Sequence, residues 1–174
     1  MTSYGGTKTD DPNEVVIKTP TGEVVAEHRT EEPFQQDISP VKANVISEIS
    51  ALAREASNFQ QKYLPVVTIL SLETLDQAVM HWRNDDVSDY SEREVIAILG
   101  AYLGERLAAD FGLKWVIVSD KYGTDYAVTD NERGTQVFPF SSVAKRIDLT
   151  EARIMVGIYY TAKHGIENSR ANRN

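Results

Sequence analysis

The chain has 174 residues, 41% of them hydrophobic, no cysteine and a formal net charge of −8. That length suits one domain with a small appendage, and the apolar content is enough for a core. The missing cysteine excludes disulfides, thiolate nucleophiles and cysteine-based zinc sites, and no apolar run approaches the roughly 20 residues of a membrane span.

The charge is unevenly placed. Between Glu73 and Glu132 lie 13 acidic and 5 basic residues, so this stretch carries the whole imbalance. Affinity for a phosphate backbone needs clustered Lys and Arg, so nucleic acid is not an expected partner. An acidic surface keeps a protein soluble, and it also draws a basic protein partner from a distance.

Residues 1–12 are polar, carry no apolar segment of a secretion signal, and read as a disordered tail of a cytoplasmic, bacterial-type protein. Glu14–Lys18 and Glu23–Glu27 are β-rich runs flanking Thr19-Pro20-Thr21-Gly22, the pattern of a β-hairpin. With the polar connector that follows, it forms an expected segment 13–38. Residues 39–166 are expected to form one α+β domain.

That domain opens with Ser39-Pro40, which has the pattern of a helix start, Ser39 capping and Pro40 in the first position. Val45, Ile49, Leu52, Ala56, Phe59 and Tyr63 continue a helical stripe until Pro65 stops it. Val66–Leu70 reads as a buried connector in preference to a strand. A shorter helix spans about 72–83, with Leu72, Leu75, Val79 and Trp82 on one face. After the acidic linker 84–90, Ser91 and Glu94 form a capping-box pattern, and Gly112 stands where a left-handed terminating residue belongs.

Three short strands are expected next, at 114–118, 125–129 and 136–140, joined by Gly-containing links into an antiparallel meander. Pro139 cannot donate to a ladder, so the third strand ends there or lies at an edge. Ser141–Arg146 reads as a helical turn. Asp148-Leu149-Thr150-Glu151 is a second cap-like start, before an apolar stretch that reads as helix to about His164, although 153–160 is also compatible with a strand. Residues 167–174 read as a frayed tail.

Chemical motifs are sparse. His81 could share a metal with Asp85 at i+4, but no second histidine lies nearby, so a structural or solvent-facing role is the simpler reading. Gly100 and Gly104 sit inside a helix, where each costs about 1 kcal/mol relative to Ala. Close packing of another element is the expected compensation. No Gly-rich loop follows a strand, and neither G-x-S-x-G nor S-x-x-K occurs. Glu105 with Asp110, or Asp120 with Asp125, could be paired acids only if the fold brought them into one cleft. Lys121–Asp125 is a tight turn that carries Tyr122, a residue type favoured as an interface anchor.

Four stretches together resemble a known bacterial family. They are Ile98–Glu105 with its paired glycines, Gly112–Val116 with Trp115, Tyr122–Asp125, and Val137–Arg146 with Phe138-Pro139. The chain is similar, over about residues 72–148, to the domain-of-unknown-function 3806 family. That resemblance implies a small α+β domain and brings no established catalytic residue.

The expected fold is therefore α+β, an antiparallel three-stranded meander packed against several helices, with an N-terminal β-hairpin. The expected function is non-enzymatic binding of a protein partner, by class analogy an immunity protein that neutralises a basic toxin effector. No catalytic residue, cofactor or metal is expected. The candidate contact residues are Asp85, Asp86, Asp89, Asp120, Tyr122, Asp125, Asp130 and Glu132. One alternative is an enzyme or small-ligand site between Tyr122, Asp125, Glu105 and Lys145. Another is a scaffold that associates with its own copies through 152–160.

Overall fold

The computed structural model describes the backbone of residues 7–8, 14–19 and 22–27, and residues 36–130, 134–148 and 152–172 with their side chains. It contains two units, residues 1–35 and 36–174. In the first, β1 (Thr7–Lys8), β2 (Glu14–Thr19) and β3 (Gly22–Glu27) pair antiparallel, in the order β1-β2-β3. The turn residues Pro20 and Thr21 and most of the expected 1–12 tail and 28–38 connector lie outside the described residues.

Among its described residues the second unit is α+β, with a three-stranded antiparallel sheet and five helices. Its elements are β4 (Asp37–Pro40), α1 (Ala43–Tyr63), α2 (Leu72–Arg83), α3 (Glu92–Phe111), β5 (Lys114–Asp120), β6 (Gly123–Thr129), α4 (Pro139–Ala144) and α5 (Ile154–Ala171). The sheet order is β4-β5-β6.

Two expectations are corrected by β4. Ser39-Pro40 is strand, Ile38 facing Val118 and Pro40 facing Val116, and the following helix starts at Ala43 behind Lys42. A proline is tolerated on an edge strand, so the local helix-start signal loses to pairing with a partner far along the chain. The third strand of the sheet is therefore β4 and not 136–140. Within 136–140 only Val137 bridges, to Val128. Pro139 instead takes the first turn of α4, where its missing N–H costs nothing.

Other boundaries follow their signals. Helix α1 ends at Tyr63, before Pro65, and the chain from 64 to 71 is an irregular connector. A capping box opens α2, Ser71 Oγ accepting from Thr74 N at 3.2 Å and Thr74 Oγ1 accepting from Ser71 N at 2.9 Å. The Ser91–Glu94 box opens α3, and Gly112 closes it at φ 64°.

The helix glycines serve packing. A Cβ on Gly100 would lie 2.9 Å from the Phe140 Cα, and one on Gly104 would fall inside the Trp115 ring. Phe140 is 5.7 Å from Trp115, centroid to centroid, so α4 closes over the sheet beside α3. Phe59, Leu75, Leu99, Leu103, Leu107 and Met155 centre the core.

Helix α5 starts differently from expectation. Its N-cap, Arg153, makes no side-chain capping bond, and residues 149–151 lie outside the described residues. The cap comes from α2: the buried Asp76 carboxylate accepts from Met155 N at 2.7 Å and from Val156 N at 3.2 Å. Burial pushes the Asp76 carboxyl above the usual carboxylate range, with these amide bonds opposing the shift. The region 153–160 is helical, and α5 continues to Ala171, beyond the expected fraying point at 167.

Candidate functional site

Seven of the eight acidic and aromatic candidates separate into three places, and Glu132 lies outside the described residues. Asp85, Asp86 and Asp89 lie on the α2–α3 loop. Asp120, Tyr122 and Asp125 surround the β5–β6 turn. Asp130 follows β6, where Arg170 of α5 pairs with it at 3.3 Å. At about 3.3 Å per strand residue, Asp125 within β6 and Asp130 just past its end stand roughly 17 Å apart. The structure therefore distributes the acidic residues instead of building one continuous patch.

The first place is the most organised. The last turn of α1 holds both neighbouring connections. Gln60, buried, donates Nε2–H to the Val67 carbonyl at 2.6 Å. Tyr63 shares a 2.6 Å hydroxyl bond with Ser88 and donates to Asp85 at 3.3 Å. Lys62 pairs with Asp89 at 2.5 Å, and its ammonium lies 5.6 Å from the Tyr90 ring centroid. The Lys62 hydrogen bond holds the Asp89 carboxyl below the usual carboxylate range. Beneath them Phe59 meets Tyr63 and Tyr90 at 5.2 and 5.3 Å, and Trp82 Nε1 donates to the Tyr90 carbonyl at 3.0 Å.

This anchoring leaves three large aliphatic side chains in solvent. Val66 is 91% exposed, Val87 86% and Ile69 72%. Val66 and Ile69 lie on the 64–71 connector, and Val87 lies on the 84–90 loop, one residue from Asp86. The expected buried connector at 66–70 holds in part only: Val67 and Leu70 are half-buried, while Val66 and Ile69 are exposed. The available signal is Pro65, which ends α1 and leaves the apolar run on a short irregular link.

At the second place, Lys121 and Tyr122 form a two-residue turn between β5 and β6. Asp120 Oδ1 accepts from Tyr122 N at 2.7 Å, and Gly123 takes φ 143°. Tyr122 is 80% exposed, with the Lys121 ammonium 5.2 Å from its ring centroid. Asp125 turns back toward α4, where Ser141 Oγ donates to it.

The alternative grouping of Tyr122, Asp125, Glu105 and Lys145 has its two acids engaged in separate structural roles. Glu105 accepts from Trp115 Nε1 at 2.9 Å and from Ser50 Oγ at 3.4 Å. Asp125 holds Ser141, and Lys145 is exposed at the end of α4. Of the oligomerisation stretch 152–160, Ile154, Met155, Val156 and Ile158 are buried within the chain itself. Tyr159 donates to Asp110 at 2.7 Å, and burial together with that bond pushes its phenol up to about 12. His81 is exposed, and among the described residues no three His, Asp or Glu side chains are grouped to hold a metal. No helix among them is long and apolar enough to cross a membrane.

Fold and surfaces together define a small α+β domain with a three-stranded sheet and two projecting connections. The chain belongs to the family described as Domain of unknown function (DUF3806), whose model matches residues 73–159. That range begins in α2 and ends in α5, so the family core comprises α2–α4 with β5 and β6, while β4 and α1 precede it. A solved protein of Bacteroides thetaiotaomicron VPI-5482, determined at 1.50 Å, is similar in fold. It is 12% identical with a TM-score of 0.53, over 92% of this chain and 69% of that one. Comparison with curated proteins gives no match.

Proposed function

We propose that the protein is a non-enzymatic, cytoplasmic binding protein of a bacterium, and that it neutralises a cognate toxin effector by covering it. The observation that carries this reading is the α1–α3 end, where Val66, Ile69 and Val87 stand in solvent on anchored connections beside Asp85, Asp86 and Asp89. Large exposed aliphatics grouped at one end of a small domain are characteristic of protein contacts. Anchoring limits the entropy lost when a partner docks. The surrounding acids favour a basic partner by complementary charge. The Tyr122 turn provides a second contact of the same kind, and the N-terminal β-hairpin is an additional element outside the family core.

Copurification of the protein with the product of its neighbouring gene tests the reading. A stable complex, and sensitivity of cells to that product once this gene is deleted, are the expected results. Absence of any complex together with normal growth of the deletion strain would overturn it.

A further inference from the structure

We infer that the surface formed by the 64–71 connector and the 84–90 loop takes a protein segment carrying Lys or Arg on one side and apolar side chains on the other. The inference rests on the protein-binding reading above and specifies the chemistry of the partner.

Both connections meet at one helical turn. Gln60 holds Val67, Tyr63 holds Asp85 and Ser88, and Lys62 holds Asp89, so residues 60–63 bring the two segments to the same end of the domain. The apolar half of the surface consists of Val66, Ile69 and Val87, each more than two-thirds exposed. Burying such side chains against a partner is favourable in proportion to the apolar area removed from water.

The polar half is strongly acidic. From Asp85 to Glu94 there are five carboxylates (Asp85, Asp86, Asp89, Glu92 and Glu94) and one cation, Arg93. Lys62 neutralises Asp89, and Glu94 answers the α3 N-terminus, so Asp85, Asp86 and Glu92 carry the charge offered to a partner. Helix α1 ends at Tyr63 beside the connector and α2 ends at Arg83 beside the loop, where helix C-terminal carbonyls add partial negative charge. The N-terminus of α2 after the connector is answered by its own Ser71–Thr74 box and Glu73. The positive N-terminus of α3 is already answered by its own Ser91 and Glu94.

This charge selects the occupant. A second copy would bring the same acids against themselves, and like charges facing across an interface disfavour docking. Nucleic acid and anionic membrane surfaces are repelled for the same reason. A segment with cations beside aliphatic or aromatic residues satisfies both halves at once. Because the loop is held by Tyr63, Ser88 and Trp82, its exposed residues are in place before the partner arrives.

The test is titration of the full-length protein with three synthetic 18-residue helical peptides, followed by calorimetry and by backbone amide shifts. One peptide combines Lys with Leu on opposite faces, one replaces Leu by Gln, and one replaces Lys by Glu. The expected result is binding of the Lys/Leu peptide, with shifts confined to 64–71 and 84–90. Its affinity should fall at least tenfold in Val66→Ser/Val87→Ser and at least threefold in Asp86→Lys, and should stay unchanged in Asn168→Ala, an exposed position on α5. Circular dichroism and thermal unfolding confirm that the variants are folded, since all these side chains are exposed.

Equal binding of the Lys/Gln peptide, an unaltered affinity in the valine double variant, or no binding of the Lys/Leu peptide would each overturn the inference. Shifts centred on the Tyr122 turn would overturn it too, while leaving the protein-binding reading intact. That reading fails separately, through the missing complex with the neighbouring gene product.

Discussion

Replacing Asp76 by alanine tests the link that ties α5 to the family core. Asp76 is buried on α2 and accepts from Met155 N at 2.7 Å and Val156 N at 3.2 Å, the first amides of a helix with no side-chain cap of its own. Each hydrogen bond to an ionised group contributes about 1.5–3 kcal/mol, so the pair contributes about 3–6 kcal/mol before burial of the carboxylate is subtracted. Burial raises the Asp76 carboxyl above its usual range, so a substantial part of that sum is offset. A net loss of about 3 kcal/mol follows for Asp76→Ala, above the upper end of ordinary cap removals at about 2 kcal/mol, because buried amides are left without a partner. With a urea slope of about 2 kcal/mol per molar, the unfolding midpoint should fall by about 1.5 M at constant slope.

Asp76→Asn keeps one acceptor oxygen and should lose about half as much. The pH dependence has a definite sign. A carboxyl raised in the folded state gives stability that is present below its unfolded value and is lost as pH rises through the folded value. The advantage of the native chain over Asp76→Asn should therefore grow on acidification, from neutral pH down through the raised pKa. A loss below about 0.5 kcal/mol in Asp76→Ala, small even for a solvent-exposed cap, would refute the capping role.

Three further outcomes follow from the same packing. Gly104→Ala should destabilise by about 1–2 kcal/mol despite alanine's better helix propensity, because its Cβ meets the Trp115 ring, whereas Gly157→Ala, with nothing within 4 Å, should stabilise by about 0.5–1 kcal/mol. Thermal unfolding of the two variants side by side checks both signs. Arg83→Ala removes the bonds from Arg83 to the Ile147 carbonyl, at 2.9 Å from Nε, and to the Arg146 carbonyl, at 3.1 Å. About 2 kcal/mol should be lost, with faster amide exchange across α4 and its following turn, since charged donors to carbonyls contribute about 1.5–3 kcal/mol. In an alkaline titration followed by tyrosine absorbance, Tyr159 should ionise near pH 12, and Asp110→Asn should bring it down toward the usual value by removing the acceptor and its charge.

The helix ends of the core were legible because their signals are local. Ser71, Ser91 and Gly112 act within a few residues of where they stand, and Pro65 ends a run that any sequence reader sees. The third strand was not, because Ser39-Pro40 carries a helix-start pattern and pairs with Ile117 and Val116, more than seventy residues later. Phe138-Pro139-Phe140 misled in the opposite sense: β-prone residues flank a proline that opens α4, and Phe140 is wanted against Gly100 and Trp115. Asp76 as the cap of α5 is invisible in sequence, being 79 residues from the amide it serves. Of the candidate surface, the acids at 85–89 were readable as charge. The exposure of Val66, Ile69 and Val87 was not, since nothing local to an apolar residue on a link tells whether another element covers it.

The measurement that bears most directly on the binding account is amide hydrogen exchange of this protein, alone and in complex with the product of its neighbouring gene. Slowed exchange at 66–70 and 85–90 in the complex, with the α5 amides unchanged, is the predicted result. A complex that leaves those two segments exchanging at their isolated rates would contradict the account, as would failure of the two proteins to associate.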